Sequence, residues 1–192
     1  IVILIFVIIN NKSDENKEII GELDCYYRVD DVSQKTQILG VDFSKEHNQF
    51  DIYLESTKIS YSKEYKFKEV GSYNVYIRIY SDMNLDNMFK DVKALTSVVF
   101  ISSKNAKILS MKSTFENCVN LYSVSISGFD TSSLISVNRL FYNTAITALS
   151  LNDFSASNIE DFSYMFAFVP KDSLDLSKFD TSKAKNMSHM FY

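Results

Sequence analysis

The stretch LDLSKFDTSKAKNMSHMFY, residues 174–192, contains every part of a unit that recurs through the second half of the chain. Its Phe191 has counterparts at Phe166, Phe141, Phe115 and Phe89, at successive separations of 25, 25, 26 and 26 residues. Four residues before Phe191, Phe166, Phe141 and Phe115 stand Met187, Phe162, Val137 and Met111, and seven before stand Ala184, Ile159, Leu134 and Ile108. Such a spacing shares one face of an α-helix, so each unit is predicted to hold a short amphipathic helix. Each phenylalanine is followed by a second element: Val98-Val99-Phe100, Val124-Ser125-Ile126, Leu149-Ser150-Leu151 and Leu174-Asp175-Leu176. The last three alternate apolar and polar, the period of a half-buried strand. A turn with its own phenylalanine comes next, at Phe129-Asp130-Thr131-Ser132, Phe154-Ser155-Ala156-Ser157 and Phe179-Asp180-Thr181-Ser182. Side-chain oxygens there suit the cap of a following helix.

A unit this small hides its apolar side only by stacking on its neighbours, which predicts a solenoid. The expected fold class is therefore α+β. Residues 82–192 are expected to form a solenoid of short parallel strands and short helices, its first unit degenerate as an end cap would be. Helical-hairpin repeats need longer units and do not explain the V-S-I and L-D-L alternation. Upstream, residues 21–81 read as a small all-β, sandwich-like module, from alternating stretches at 23–29, 37–43, 50–54 and 73–79 separated by polar turns.

The first nine residues, IVILIFVII, are wholly apolar and stop abruptly at a polar stretch. Nine residues are too few for a helical span, which takes about 20. Residues 1–20 read as the remnant of a secretory signal with a polar linker; a membrane-anchor remnant and a buried strand are the alternatives. The chain begins without Met and stops in mid-unit, so it is expected to be a piece of a longer protein. Export would give meaning to the glycosylation sequons at Asn11-Lys12-Ser13 and Asn186-Met187-Ser188. Cys25 and Cys118 lie too far apart to make a disulfide framework and are expected to be buried thiols.

The chain is 46% hydrophobic with a net charge of −4 and no Lys/Arg stripe, which excludes disorder and gives no footing for nucleic acid. No catalytic constellation emerges, and the chain is expected not to be an enzyme. His47 and His189 stand without a nucleophile in a recognisable motif, and two distant cysteines cannot ligate zinc. Asp82-x-Asn84-x-Asp86 imitates the start of a calcium loop, yet Asn87 and Lys93 replace the required Gly and Glu, and a helix cap is expected there. No cofactor is expected. If the apolar strand positions point inward, Val99, Ser125, Ser150 and Asp175 line the open sheet face, where an extended repeat surface can bind a ligand.

The run from Leu174 through Phe179-Asp180-Thr181-Ser182 to Met187-Ser188-His189-Met190-Phe191 resembles the repeat of BspA family leucine-rich repeat surface proteins. Ser127-Gly128-Phe129-Asp130-Thr131-Ser132 and Phe115-Glu116-Asn117-Cys118 follow the same pattern, while Asn152-Asp153-Phe154-Ser155-Ala156-Ser157 departs from it. Residues 65–75 are similar to the F-x-x-x-G-x-Y-x-V signature of PKD-like Ig-type domains. The resemblance implies a leucine-rich-repeat-like solenoid over residues 82–192, in a cell-surface or secreted protein that binds protein or glycan ligands in adhesion. The alternative is a structural spacer or a self-associating coat component.

Overall fold

The structure, a computed structural model, describes residues 17–46, 49–102, 104–170, 174, 176, 177 and 179–192. The apolar run 1–9, the sequon at Asn11, His47 and Asp175 lie outside the described residues.

The expected α+β class, with a solenoid closed by a wall of short helices, is wrong. Among the described residues there are eleven strands and no helix. Seven strands form one sheet: β1 (Gly21–Val29), β3 (Phe50–Leu54), β4 (Thr57–Ile59), β6 (Gly71–Ile79), β8 (Leu95–Ile101), β10 (Ser123–Ser127) and β11 (Ala148–Ser150). Their order is β11-β10-β8-β1-β6-β3-β4. Two-residue strands β2 (Thr36–Gln37) and β5 (Glu64–Tyr65) pair with each other, as do β7 (Met83–Asn84) and β9 (Ile108–Ser110).

The sandwich-like module is also corrected, because its strands do not close on themselves. β1 lies between β6 and β8, antiparallel to both, so the upstream strands continue the sheet of the repeat strands. Alternation makes this fit. Leu23, Cys25 and Tyr27 are at most 1% exposed, and Leu23 and Cys25 register with the buried Phe100 and Val98. Without β1 the first repeat strand would present an open edge.

Repeat strands β8, β10 and β11 pair in parallel, as the unit predicts. The expected helices are absent for a backbone reason. Asn87, Ser113, Arg139, Tyr164 and His189, each two residues before a repeat phenylalanine, have φ of 59, 53, 55, 57 and 56°. Two residues after, Asp91, Asn117, Asn143 and Phe168 have φ of 62, 60, 53 and 60°. Left-handed residues at every fourth position cannot propagate a right-handed helix. The segment is instead a chain of tight turns whose N–H groups alternate in direction. Thr114 and Glu116 donate back to Met111 and Ser113 within the unit, while Ser113, Phe115 and Asn117 donate forward to Asn138, Leu140 and Tyr142 of the next. The same alternation recurs in the neighbouring units.

In the units that end at Phe115, Phe141 and Phe166 the buried set is the predicted one even though its conformation is not; in the last unit Met187 and Phe191 are exposed and Ala184 is half-buried. Ile108, Met111, Phe115, Leu134, Val137, Phe141, Ile159, Phe162 and Phe166 are all 0% exposed. Phe89, Phe115, Phe141, Phe166 and Phe191 stack face to face with successive centroid separations of 5.6, 5.6, 5.5 and 5.8 Å. The Asp and Asn residues expected to cap helices make side-chain turns, with Asp130 accepting from the Ser132 N–H at 2.9 Å and Asp180 from that of Ser182. Those of the calcium-like stretch stitch units together, Asp86 accepting from the Lys112 N–H at 2.8 Å and Asp82 from that of Lys107 at 3.1 Å.

The upstream strands also close the first turn. Gly40 N–H donates to Met88 C=O at 2.7 Å, and the Gln37 side-chain amide donates to Lys90 C=O at 3.3 Å. These carbonyls match those of Thr114 and Glu116, which accept from Phe89 and Asp91 of the unit before. Gly40 has to be glycine here, since a Cβ would stand 2.0 Å from Asn87 O.

Candidate functional site

The seven-stranded sheet buries one face and leaves the other open. Inward positions are closed: Val98, Val124, Ile126, Ile77 and Ile52 are at most 2% exposed. Val99, Ser125 and Ser150 alternate to the other face, and the register sets them in one transverse row, with Ser125 between Val99 and Ser150. Three of the four residues expected on this face are thus brought together; Asp175 lies outside the described residues.

The row does not stop at the repeats. Val99 registers with Asp24 of β1, Asp24 with Tyr76 of β6, Tyr76 with Tyr53 of β3 and Tyr53 with Lys58 of β4. At about 4.8 Å per strand, the line from Lys58 to Ser150 spans about 29 Å. Flanking rows add Asp51, Arg78, Glu22 and Ile101 on one side, and Asn74, Tyr26, Ser97 and Ser123 on the other.

Charge and unsatisfied polarity concentrate at the middle of this face. Arg78 Nε donates to Glu22 Oε2 at 3.2 Å and lies 4.3 Å over the Tyr53 ring. Lys58 and Tyr80 bond Asp51 Oδ2 at 2.8 and 3.1 Å. Asp24 Oδ1 and Asn74 Oδ1 are shut from water without a hydrogen-bond partner among the described residues. Burial pushes the Asp24 carboxyl up to about 6, and the charge of Glu22 beside it adds to the rise. Burial and Asp24 likewise raise the Tyr26 and Tyr76 hydroxyls. A buried acceptor left unmade costs roughly 1–3 kcal/mol.

The other chemistry-bearing residues are used in packing. Cys25 and Cys118 are buried free thiols, and Cys118 Sγ donates to Phe89 C=O at 2.9 Å. The His189 ring stacks on Tyr164 at 4.7 Å. Among the described residues no three His, Cys, Asp or Glu side chains are placed to hold a metal ion.

Sequence reasoning missed Asp24, Tyr53, Asn74, Tyr76 and Arg78. The signal was present, since these are the polar alternates of strands whose apolar alternates were read as core. What it lacked was the pairing of β1 with β8, which carries the face across from the repeats. A family model described as Mycoplasma protein of unknown function, DUF285, matches residues 82–192, more than half of the 192-residue chain. No curated protein and no solved structure matches the chain.

Proposed function

From the premise that the chain belongs to the family of Mycoplasma protein of unknown function, DUF285, we propose that it is a non-catalytic binding protein of the cell surface or extracellular space. Its recognition surface is the outer face of the seven-stranded sheet, and its ligand is a protein or glycan. The observation that carries this reading is the seven-residue row Lys58, Tyr53, Tyr76, Asp24, Val99, Ser125 and Ser150, contributed by both halves of the chain. Tyrosine and arginine around orphan acceptors are the residues that dominate binding energy at protein interfaces. Nucleic acid does not suit the face, where Glu22, Asp24 and Asp51 offset Arg78 and Lys58. The surface location is supported by the apolar run at residues 1–9 and by the resemblance of the repeats to BspA family proteins.

The double substitution Ser125→Arg and Ser150→Arg tests this reading. Both hydroxyls lie on the open face, so the protein should melt as before while attachment to its native cell surface or matrix falls at least about tenfold. Undiminished attachment by a folded double variant would place recognition elsewhere.

A further inference from the structure

On the side of the molecule formed by the tight turns lies a shallow cavity of about 440 Å³ lined by Glu116, Asn117, Arg139, Tyr142, Asn143 and Phe168. Its size falls within the usual small-ligand range of about 300–1,000 Å³. Three units contribute to it, and their left-handed residues shape it. Asp91, Asn117 and Asn143 hold the same place in successive units and bond one to the next, Asn117 Nδ2 to Asp91 Oδ1 at 2.8 Å and Asn143 Nδ2 to Asn117 Oδ1 at 3.0 Å. In the next unit Phe168 takes that place, with φ of 60° and a side chain 51% exposed. Asparagine accepts this backbone region easily, whereas a bulky aromatic ring there is an outlier. The ring meets Tyr142 edge-on at 5.4 Å and Tyr192 edge-on at 5.2 Å.

Around that ring the polar groups are fixed but not exhausted. The Arg139 guanidinium lies 4.9 Å from both the Tyr142 and Tyr164 rings and donates once, weakly, to Glu116 Oε1 at 3.5 Å. Its remaining N–H donors have no partner among the described residues. The Asn143 amide oxygen is likewise without a donor there. Tyr142 and Phe168 meet at 85° with centroids 5.4 Å apart, forming a corner and not a parallel slot. A flat nucleobase wants a slot. A puckered ring with C–H groups on its faces and hydroxyls at its rim fits a corner of two aromatic walls with a donor and an acceptor beside it. Charge also selects: Arg139 and Lys90 are balanced by Glu116 and Asp91, so the site has no surplus for an anion.

We propose that this corner is a second binding site, separate from the sheet face, that takes one neutral sugar residue of a glycan. The sugar stacks on Phe168, its hydroxyls accept from Arg139, and one of them donates to the Asn143 carbonyl.

The test uses the full chain in saturation-transfer and chemical-shift NMR with methyl galactoside, methyl glucoside and N-acetylglucosamine, and with adenosine and sialic acid as contrasts. At least one neutral saccharide should bind and shift the Phe168 and Arg139 resonances. Phe168→Asn restores the amide row and relieves the backbone while losing two edge-on ring contacts, so it should stay folded yet bind about tenfold more weakly. Arg139→Lys keeps the charge and loses the planar fork held against two tyrosine rings, and it too should weaken binding in a protein that still folds. A purely structural Phe168 would instead leave saccharide affinity unchanged on becoming Asn. The proposal is overturned if no neutral saccharide binds, if adenosine or sialic acid binds in preference, or if affinity survives both substitutions. None of these outcomes bears on the sheet face, which the Ser125 and Ser150 variants test independently.

Discussion

Ser113 separates the two conformations that its amphipathic spacing allows. It stands two residues before Phe115 with φ of 53°, and its hydroxyl makes no hydrogen bond among the described residues, so substitution there reports on backbone alone. Holding a non-glycine residue left-handed costs about 1–2 kcal/mol. Glycine escapes that cost but loses roughly 0.5–1 kcal/mol more backbone entropy on folding. Ser113→Gly should therefore stabilise the protein by up to about 1 kcal/mol. Ser113→Val places a β-branched side chain in the same region and should cost about 1–3 kcal/mol. For a chain of this length each kcal/mol moves the melting temperature by about 2–4 °C, so the two variants should melt several degrees apart, glycine above parent and valine below. An α-helix at this place would give the reverse: glycine would lose about 0.5 kcal/mol against serine, and valine would be nearly neutral. Thermal and urea unfolding followed by circular dichroism read the order directly. Valine at or above the parent with glycine below it would refute the turn geometry.

Two further outcomes follow from the closed end and from the sheet face. Gly40→Ala pushes a methyl group against Asn87 O and should cost about 1–3 kcal/mol in urea unfolding, with hydrogen exchange at the first unit rising ahead of the rest. Asp24 has a folded pKa of about 6 against an ordinary 3.8, so its contribution favours the native state below pH 3.8 and is lost as pH rises through 6. Asp24→Asn, which stays neutral, should match the parent near pH 4 and exceed it in melting temperature at pH 7. A parent carboxyl titrating near pH 4 by carbon NMR would contradict this.

The repeat was fully legible as a period. Ile108, Met111 and Phe115 were identified as a buried set because spacing reports which side chains turn inward, whatever backbone turns them. What spacing does not report is handedness. A residue every three or four positions can arise from a helix or from turns that reverse direction twice per unit, and both bury the same residues. The asparagines at 87, 117 and 143 carried the distinguishing hint, since Asn tolerates the left-handed region better than most residues. Arg139, Tyr164 and Phe168 at equivalent places hid it. On the sheet face, Ser125 and Ser150 were found because parallel repeats register by counting. Asp24 and Tyr76 escaped because antiparallel pairing between β1 and β8 joins segments about 70 residues apart, a distance over which no local pattern speaks.

The first turn is closed by Gly40 and Gln37 bonding to main-chain carbonyls, groups that every unit presents in the same places. A cap that recognises backbone has no stake in which unit sits beneath it. Whole units of 25 or 26 residues can then be inserted behind the first one or deleted without redesign of the beginning, as rungs are added to a ladder whose top is already fastened. Fractional insertions would break the alternation of forward and backward N–H groups. Length in this architecture is a quantity that gene duplication can adjust in whole steps, and with it the reach of the face that the sheet exposes.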